Sequence, residues 1–197
     1  MRDARALGLI GCVLAAAAGC TQMLAVGAIE TAQCLPLSNL DGDATFDGAN
    51  DESIVVFGVS KIYGMTFQSG VDDGVSWHRD RPGISATVTA SDGFVVARLK
   101  PRPGNRRYAI ARAAFEPGAD CYNFPHTSTL LTFDAPAGQV TYLGALTVEY
   151  KTEGGSNAAV LRDDPLITKQ QAIAFMARRY PGIKGEVVTG RMDWMYK

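Results

Sequence analysis

From residue 53 onward, the apolar and polar residues follow the short periods that are typical of β-strands. Residues 54–59 form a continuous apolar run, as in a strand that is buried on both faces. Residues 84–90 alternate, which predicts a strand whose core-facing residues are Ile84, Ala86, Val88 and Ala90. The same criteria predict further strands over 94–99, 107–115, 127–133 and 139–150. A short edge strand is expected over 186–191.

Two glycines modify this strand pattern. Asp92-Gly93 separates the runs 84–90 and 94–99, and a two-residue loop of this composition indicates a type I′ hairpin, because both residues must adopt positive φ. We therefore expect the two runs to be neighbouring antiparallel strands. Gly144 interrupts the strand over 139–150 and predicts a bulge or bend. One predicted face of that strand carries Val140, Tyr142, Gly144, Leu146, Val148 and Tyr150.

One segment near the C-terminus has the period of a helix. Thr168 is the predicted N-cap, and Gln171 three residues later completes a capping box. An apolar stripe follows at helical spacing, formed by Ala172, Phe175, Met176 and Tyr180. Pro181-Gly182 is expected to end the helix. Short strands with frequent turns and one terminal helix predict a mainly β fold, an antiparallel β-sandwich with one C-terminal α-helix. A small barrel is the alternative.

The N-terminal residues have the features of an export signal. Arg2 and Arg5 precede an uncharged run over 6–18, which has the length of a signal h-region but is too short to span a bilayer. The run ends at Ala17-Ala18-Gly19-Cys20, which resembles the lipobox of bacterial lipoproteins. This resemblance implies that residues 1–19 are removed and that Cys20 carries the lipid. By the same resemblance, Thr21 in the position after the cysteine favours the outer membrane.

Ordinary cleavage after Ala16-Ala17-Ala18, without a lipid, is the alternative for the export signal. The 197 residues, 47% of them hydrophobic, are enough for one domain with a core of its own. We expect an irregular tether over 20–50, the sandwich over 51–163, and the helix with a tail over 164–197. In that tail, Trp194 and Tyr196 are interpreted as the apolar end that closes a sandwich edge, with a docking tail as the alternative.

The charge balance gives no reason to expect nucleic acid as a partner. The formal net charge is -1, and removal of Arg2, Arg5 and Asp3 with the signal makes it -2. Binding to nucleic acid needs a basic surface that neutralises phosphates. The expected partners are the membrane, through the lipid anchor, and an envelope protein or surface polymer.

Two cysteines remain in the mature domain once Cys12 is removed with the signal and Cys20 carries lipid. Cys34 and Cys121 form an even pair in an oxidising compartment, for which a disulfide is the simplest interpretation. A reactive or metal-binding thiol is the alternative, but such sites favour CxxC spacing or a nearby histidine.

Three segments between residues 53 and 150 carry a resemblance to a known family: Ile54–Val59, Arg107–Ile110 and Ala137–Gly144. Through them, residues 53–150 resemble uncharacterised bacterial lipoproteins with a transthyretin-like or carboxypeptidase-regulatory-like sandwich. The resemblance implies a prealbumin-like fold and an envelope location, and it implies no activity. Asn105-Arg106-Arg107 departs from the pattern, because a glycine normally precedes the strand that carries the tyrosine.

Two clusters of polar residues are candidates for chemistry. Residues 77–80 place an aromatic and a histidine beside two charges, which is the composition of a ligand-contact patch on a loop: Trp77, His78, Arg79 and Asp80. Asp41, Asp43 and Glu52 occupy positions 1, 3 and 12 of a calcium-loop register, but Phe46 stands where that loop needs glycine. A solvated acidic loop is therefore the simpler interpretation.

Two hypotheses for the function follow from these patterns. The first is a lipid-anchored, periplasm-facing module of the outer membrane that binds a protein or polymer and has no catalytic residues, metal or cofactor. The second is a secreted hydrolase or metal-dependent enzyme with a site near His78, although no Gly-x-Ser-x-Gly or His-Glu-x-x-His motif accompanies it. An enzyme needs a concave site with a second titratable group beside the histidine, whereas a binding module needs only an exposed patch.

Overall fold

Strands make up most of the regular structure. A computed structural model describes residues 28–29, 40–49, 51–73, 76–80, 86–115, 122–123, 130–153 and 156–195. These residues contain thirteen strands and one helix, α1 (Lys169–Arg179). The strands are β1 (Ala28–Ile29), β2 (Ser53–Ser60), β3 (Gly64–Asp72), β4 (Trp77–Arg79), β5 (Ala86–Thr89), β6 (Phe94–Leu99), β7 (Arg106–Ala114), β8 (Tyr122–Asn123), β9 (Leu130–Phe133), β10 (Val140–Glu153), β11 (Ser156–Asp163), β12 (Val187–Thr189) and β13 (Met192–Met195).

The larger sheet is antiparallel and is built around β3 and β7. These strands pair from Gly64↔Ala114 to Val71↔Arg106. The other edge of β3 is shared by β5 and β4. The other edge of β7 is shared by β8, which also pairs with β1, and by β9, which also pairs with β13. The end of β3, the short strand β4 and the start of β7 therefore meet at one end of this sheet.

The smaller sheet is mixed. β2 pairs antiparallel with β6 but parallel with β10, and the first part of β10 also pairs in parallel with β12. The second part of β10 pairs antiparallel with β11. The prediction of an antiparallel sandwich is thus wrong for this sheet. A long crossover permits the parallel pair, because the described strands β3 to β9 lie between β2 and β10 along the chain.

Two apolar cores divide the described residues into three layers. Between the sheets, four rings pack with centroids 5.2 to 5.9 Å apart, from Phe57, Phe67, Tyr108 and Phe133. The second core lies between the smaller sheet and α1, where Phe175 stacks on Phe94. β2 contributes Val55 and Phe57 to the first core and Ile54 and Val56 to the second, which confirms that it is buried on both faces.

Gly144 forms the bulge that its position predicts. Its φ is +96°, and the register of β10 with β2 shifts between Tyr142 and Ala145. Before the bulge, Val140 and Tyr142 pack on the side of α1; after it, Leu146 and Val148 pack between the sheets. The prediction that all these residues share one face is wrong, because the extra residue inverts the alternation.

The turn at Asp92-Gly93 has the predicted conformation but not the predicted role. Both residues have positive φ, 49° and 81°, and Ser91 and Phe94 exchange two backbone hydrogen bonds of 2.8 and 2.9 Å. Beyond these two hydrogen bonds, β5 belongs to the larger sheet and β6 to the smaller one. The expectation that they are neighbouring strands is therefore wrong. β6 is apolar on both faces, which suits the smaller sheet because α1 covers its outer side.

The helix α1 agrees with its sequence signals. The Thr168 hydroxyl accepts a bond from the backbone N–H of Gln171, and the Gln171 side chain accepts one from the Thr168 backbone. The predicted stripe is buried against the smaller sheet. Phe46, from the segment predicted as a tether, is buried in the same core and forms a parallel bridge with Ile183.

The two C-terminal strands lie on different sheets. β12 corresponds to the predicted edge strand and pairs with β10, whereas β13 pairs with β9. Trp194 of β13 packs against the core between the sheets, as expected of a residue that closes the sandwich edge. Tyr196 lies outside the described residues.

Candidate binding surface

The residues singled out at 77–80 lie at the end of the larger sheet where the termini of β3, β4 and β7 meet. We call the charged residues at this end the strand-end surface: Asp72, Asp73, His78, Arg79, Asp80, Arg106, Arg107, Asp134 and Asp193. In the sequence, residues 77–80 form a group only because they are consecutive. The pairing of β4 with β3 brings His78 opposite Val71 and Arg79 opposite Gly70.

Trp77 attaches β4 to the sheet. Its side chain is buried, with 5% of the residue exposed, and the ring lies over Gly70 of β3. A Cβ atom at Gly70 would be 2.4 Å from Cε2 of Trp77, so only glycine admits the ring at this distance. The prediction that residues 77–80 belong to a loop is wrong, because residues 77–79 form a strand whose tryptophan is inside.

His78 is exposed, as is the neighbouring Arg79. Its imidazole is 67% exposed, and Nε2 lies 3.2 Å from Oδ2 of Asp73, whose side chain is 45% exposed. Asp73 is further fixed because its Oδ1 accepts a backbone hydrogen bond from Ser76. The pair therefore presents a hydrogen-bonded imidazole to solvent.

Asp80 connects the end of β4 to both central strands. Its backbone N–H donates to the carbonyl of Ser69, 2.8 Å away, and its Oδ1 accepts a hydrogen bond from Nη1 of Arg106. The carboxylate is only 18% exposed, and Oδ2 is buried without a hydrogen-bond partner among the described residues. Arg106 is 42% exposed, so the ion pair lies at the rim of the surface.

Arg107 is the centre of the strand-end surface, and no sequence motif singles it out. Nε lies 3.1 Å from Asp134, Nη2 lies 2.8 Å from Asp193, and Nη1 lies 3.6 Å from Asp72. Burial opposes the charge of the guanidinium, since only 14% of the side chain is exposed. The hydrogen bond to Asp193 and the charges of Asp134 and Asp193 outweigh that effect, so the pKa of Arg107 is raised above its ordinary value.

No local pattern predicts this cluster. The three carboxylates belong to β3, to the residues after β9 and to β13, and Asp193 is 86 positions from Arg107. The one usable signal is the pair Arg106-Arg107 at the start of a strand whose other residues, apart from Arg112, are apolar. Charges at that position require acidic partners, but the sequence does not indicate which ones.

Exposed cations extend the surface to one side. Lys100 and Arg102 lie between β6 and β7, and both residues are exposed. The hydroxyl of Tyr108 donates to the carbonyl of Lys100, which fixes the start of this connection. The strand-end surface thus combines fixed carboxylates with exposed cationic and imidazole side chains, an arrangement that can form many polar contacts with a partner.

The acidic residues proposed for calcium do not converge in the structure. Asp41 and Asp43 are exposed, whereas the carboxylate of Glu52 lies 3.5 Å from Nη1 of Arg98. In the described part of the chain, no group of three or more His, Cys, Asp or Glu side chains is arranged to hold a metal ion.

The predicted lipidation site Cys20 and the predicted disulfide partners Cys34 and Cys121 lie outside the described residues. The described part of the chain contains no helix long and apolar enough to cross a bilayer. No protein-family model, curated protein or solved structure matches this chain.

Proposed function

We propose that this chain is a lipid-anchored protein of the outer membrane that faces the periplasm and binds an envelope protein or surface polymer, without catalysis, through its strand-end surface. The observation that carries this proposal is the contrast between two groups in that surface. Arg107 of β7 is largely buried among three carboxylates, whereas His78 of β4, on the other side of β3, is two-thirds exposed. A rigid cluster of ion pairs that supports exposed contact groups is the arrangement expected of a binding surface on a rigid scaffold.

The resemblance to transthyretin-like lipoproteins supports the same proposal. The segments Ile54–Val59 and Arg107–Ile110 lie in β2 and β7, central strands of the two sheets. The two-sheet architecture is compatible with a prealbumin-like sandwich, and we propose that relationship on the strength of the sequence segments. Such a fold is a scaffold and does not specify an activity.

A hydrolase with a site near His78 is the second candidate. The contact that favours it is the 3.2 Å pair of His78 and Asp73, because a carboxylate orients the imidazole of many catalytic bases. The high exposure of both groups argues against it, since catalysis of this type gains from exclusion of water. If the protein is a hydrolase, it should hydrolyse an ester or amide probe. His78→Asn should then abolish the hydrolysis while the variant still binds the probe.

Photo-crosslinking in intact cells tests the binding function. A crosslinking amino acid replaces the exposed Arg79 of β4, and the matched control replaces the exposed Ala177 of α1, on the opposite layer of the domain. We expect a discrete adduct, a single protein band or a polymer ladder, from position 79 only. Equal adduct patterns at both positions, or none at position 79, would show that the strand-end surface is not the binding surface.

The anchor is tested separately by Cys20→Ser. Acyl chains contribute about 0.8 kcal/mol per buried methylene, so loss of the acylated thiol should release the protein into the soluble periplasmic fraction. A Cys20→Ser protein that still sediments with membranes as the wild type does would contradict the anchor.

A further inference from the structure

The strand β11 is the longest strand in the described part of the chain that pairs with a partner strand on one edge only. It has eight residues and pairs with β10, whereas the other described strands with a single partner strand have two to six residues. The free edge of a strand presents N–H and C=O groups that can pair with another chain. A free edge of this length is therefore a candidate for an interface.

The sequence of β11 lacks the features that commonly prevent such pairing. Residues 156–163 contain no proline and no lysine, and the register with β10 runs without a bulge along the whole strand. The charges of the strand are at its C-terminal end, where Arg162 forms an ion pair with Glu149 of β10 and Asp163 follows. The edge is thus regular, and it is uncharged from residue 156 to residue 161.

One backbone hydrogen bond determines which residues of β11 direct their backbone groups to the free edge. The N–H of Asp164 donates to the carbonyl of Ala145 over 2.9 Å, in line with the register of β11 on β10. Hydrogen-bonded and non-hydrogen-bonded pairs alternate along an antiparallel ladder. The even-numbered residues of β11 therefore direct their N–H and C=O groups to β10, and the odd-numbered residues direct theirs to the free edge: Asn157, Ala159, Leu161 and Asp163.

These odd-numbered positions fit a second copy of the same strand. Among antiparallel pairs related by a two-fold axis, only the register with the axis at Val160 pairs all of them. Asn157 then lies opposite Asp163 of the second copy, and Ala159 lies opposite Leu161. Each such pair of residues can exchange two backbone hydrogen bonds. A shift of this register leaves outward-directed groups of β11 without a partner in the second β11.

The residues that this register brings opposite each other are compatible. Arg162 lies opposite Ala158, and Asp163 lies opposite Asn157, so no like charges are directly opposite. At the axis a valine lies opposite a valine, and β-branched residues are favoured in strands. The contact is isologous, so it closes with two copies and leaves no β11 edge for further growth. Self-complementarity and closure both favour a second copy as the occupant of this edge.

We propose that the protein forms a two-fold symmetric dimer in which the β11 strands of two copies pair and join their smaller sheets into one continuous sheet. The strand-end surface lies at the end of the larger sheet and is not part of this interface. The lipid anchor is not part of it either. The dimer therefore carries two strand-end surfaces, which can bind a repetitive partner at two places at once.

Cysteine crosslinking of the full chain tests this dimer. In the proposed register, residue 160 lies opposite its own copy in a non-hydrogen-bonded pair, where Cα atoms are about 4.5 Å apart and a disulfide can form. Val160→Cys should give a covalent dimer when copper phenanthroline oxidises the protein, seen by non-reducing electrophoresis. Ala158→Cys is the matched control. Its two copies lie roughly 14 Å apart along the ladder, so it should give only the wild-type background.

A proline at position 159 tests the backbone pairing. The N–H of Ala159 is directed to the free edge, so Ala159→Pro in the Val160→Cys background removes no hydrogen bond to β10 but prevents two edges from pairing. We expect the covalent dimer to be lost while the circular dichroism spectrum stays unchanged.

Each alternative result contradicts the dimer. A Val160→Cys band no stronger than that of Ala158→Cys, or one that persists with Ala159→Pro, overturns the proposed pairing. A Val160→Cys adduct whose mass is not twice that of the chain overturns it too, since another molecule then occupies the edge. If Val160→Cys alters the fold, a mixture of Ala158→Cys and Arg162→Cys proteins replaces it. These positions lie opposite each other, so the mixture should form crosslinks that neither protein forms alone.

Discussion

At the scale of single residues, Arg107 joins three parts of the chain that are distant in sequence. A guanidinium has five N–H donors in a fixed plane, and Arg107 donates hydrogen bonds to Asp134 and Asp193 and forms a longer ion pair with Asp72. Those carboxylates belong to β3, to the residues after β9 and to the C-terminal β13. We therefore expect Arg107 to contribute more to the stability of the fold than a typical surface ion pair does, because its side chain is largely buried and its hydrogen bonds are charge-assisted.

We expect Arg107→Ala to lower the free energy of unfolding by about 1–3 kcal/mol, because it removes charge-assisted hydrogen bonds to Asp134 and Asp193 and the positive charge beside Asp72, while Asp193 keeps its ion pair with Arg191. The matched control is Arg178→Ala, which removes an ion pair whose side chains are 69% and 61% exposed. That change should cost no more than about 0.5 kcal/mol, since exposed pairs contribute little. Urea unfolding measures both values. Equal effects of the two substitutions would show that the Arg107 cluster is not a stabilising centre.

The strand-end surface illustrates which part of a site a sequence can predict. The group Trp77 to Asp80 is identifiable because a histidine, an aromatic and two charges stand side by side. The role of Trp77 is not, since it depends on Gly70 in another strand. The partners of Arg107 are also hidden, because the folded chain brings together residues that are 27 and 86 positions apart.

At the scale of elements, local periodicity predicts α1, β2, β6 and β7 well but fails for β3. The helix has caps at both ends and a regular stripe, and all of these signals act within a few residues. β3 carries Thr66, Gln68 and Ser69, which are polar yet buried, so its sequence lacks the apolar alternation of an ordinary strand. Its burial follows from its central position between β7 on one edge and β4 and β5 on the other, which only the tertiary structure determines.

The turn between β5 and β6 provides a test at this scale. We expect Gly93→Val to lower the free energy of unfolding by about 1 kcal/mol or more, because a β-branched residue would be forced to a φ of +81°. Space is not the cause, since a Cβ atom at Gly93 would meet only the carbonyl oxygen of Val59, at 3.6 Å. Gly93→Asn is the control and should cost less, as asparagine tolerates positive φ. Thermal melts in which both variants match the wild type would refute the conformational argument.

At the scale of the whole molecule, the architecture depends on pairings that no local pattern specifies. The strands on either side of Asp92-Gly93 belong to different sheets. β2 and β10 pair in parallel although the strands β3 to β9 lie between them in the sequence. The bulge at Gly144 also inverts the alternation of β10. The apolar side chains before it pack in the core beside α1, and those after it pack between the sheets. Fold class is therefore predictable from composition and period, whereas sheet membership is a property of the complete fold.

The pairing of β1 with β8 concerns the predicted disulfide of Cys34 and Cys121. Ile29 lies opposite Tyr122 in the register of these strands. Cys121 immediately precedes Tyr122, and Cys34 follows Ile29 by five positions, a length of chain that reaches at most about 18 Å. Each cysteine is thus close in sequence to a residue of this strand pair; a bridge requires Cα atoms within about 7 Å.

We expect the oxidised mature protein to contain this disulfide, which would close a loop of roughly 90 residues and stabilise the fold by about 4–5 kcal/mol in the chain-entropy account. Cys34→Ser and Cys121→Ser should then lower the melting temperature by similar amounts, and the double variant should be no less stable than either single one, because each substitution removes the same bond. Thiol alkylation without reductant, followed by mass spectrometry, gives an independent measure. Alkylation of both cysteines in the folded protein from the periplasm, or additive effects of the two substitutions, would exclude the bridge and favour two separate thiols.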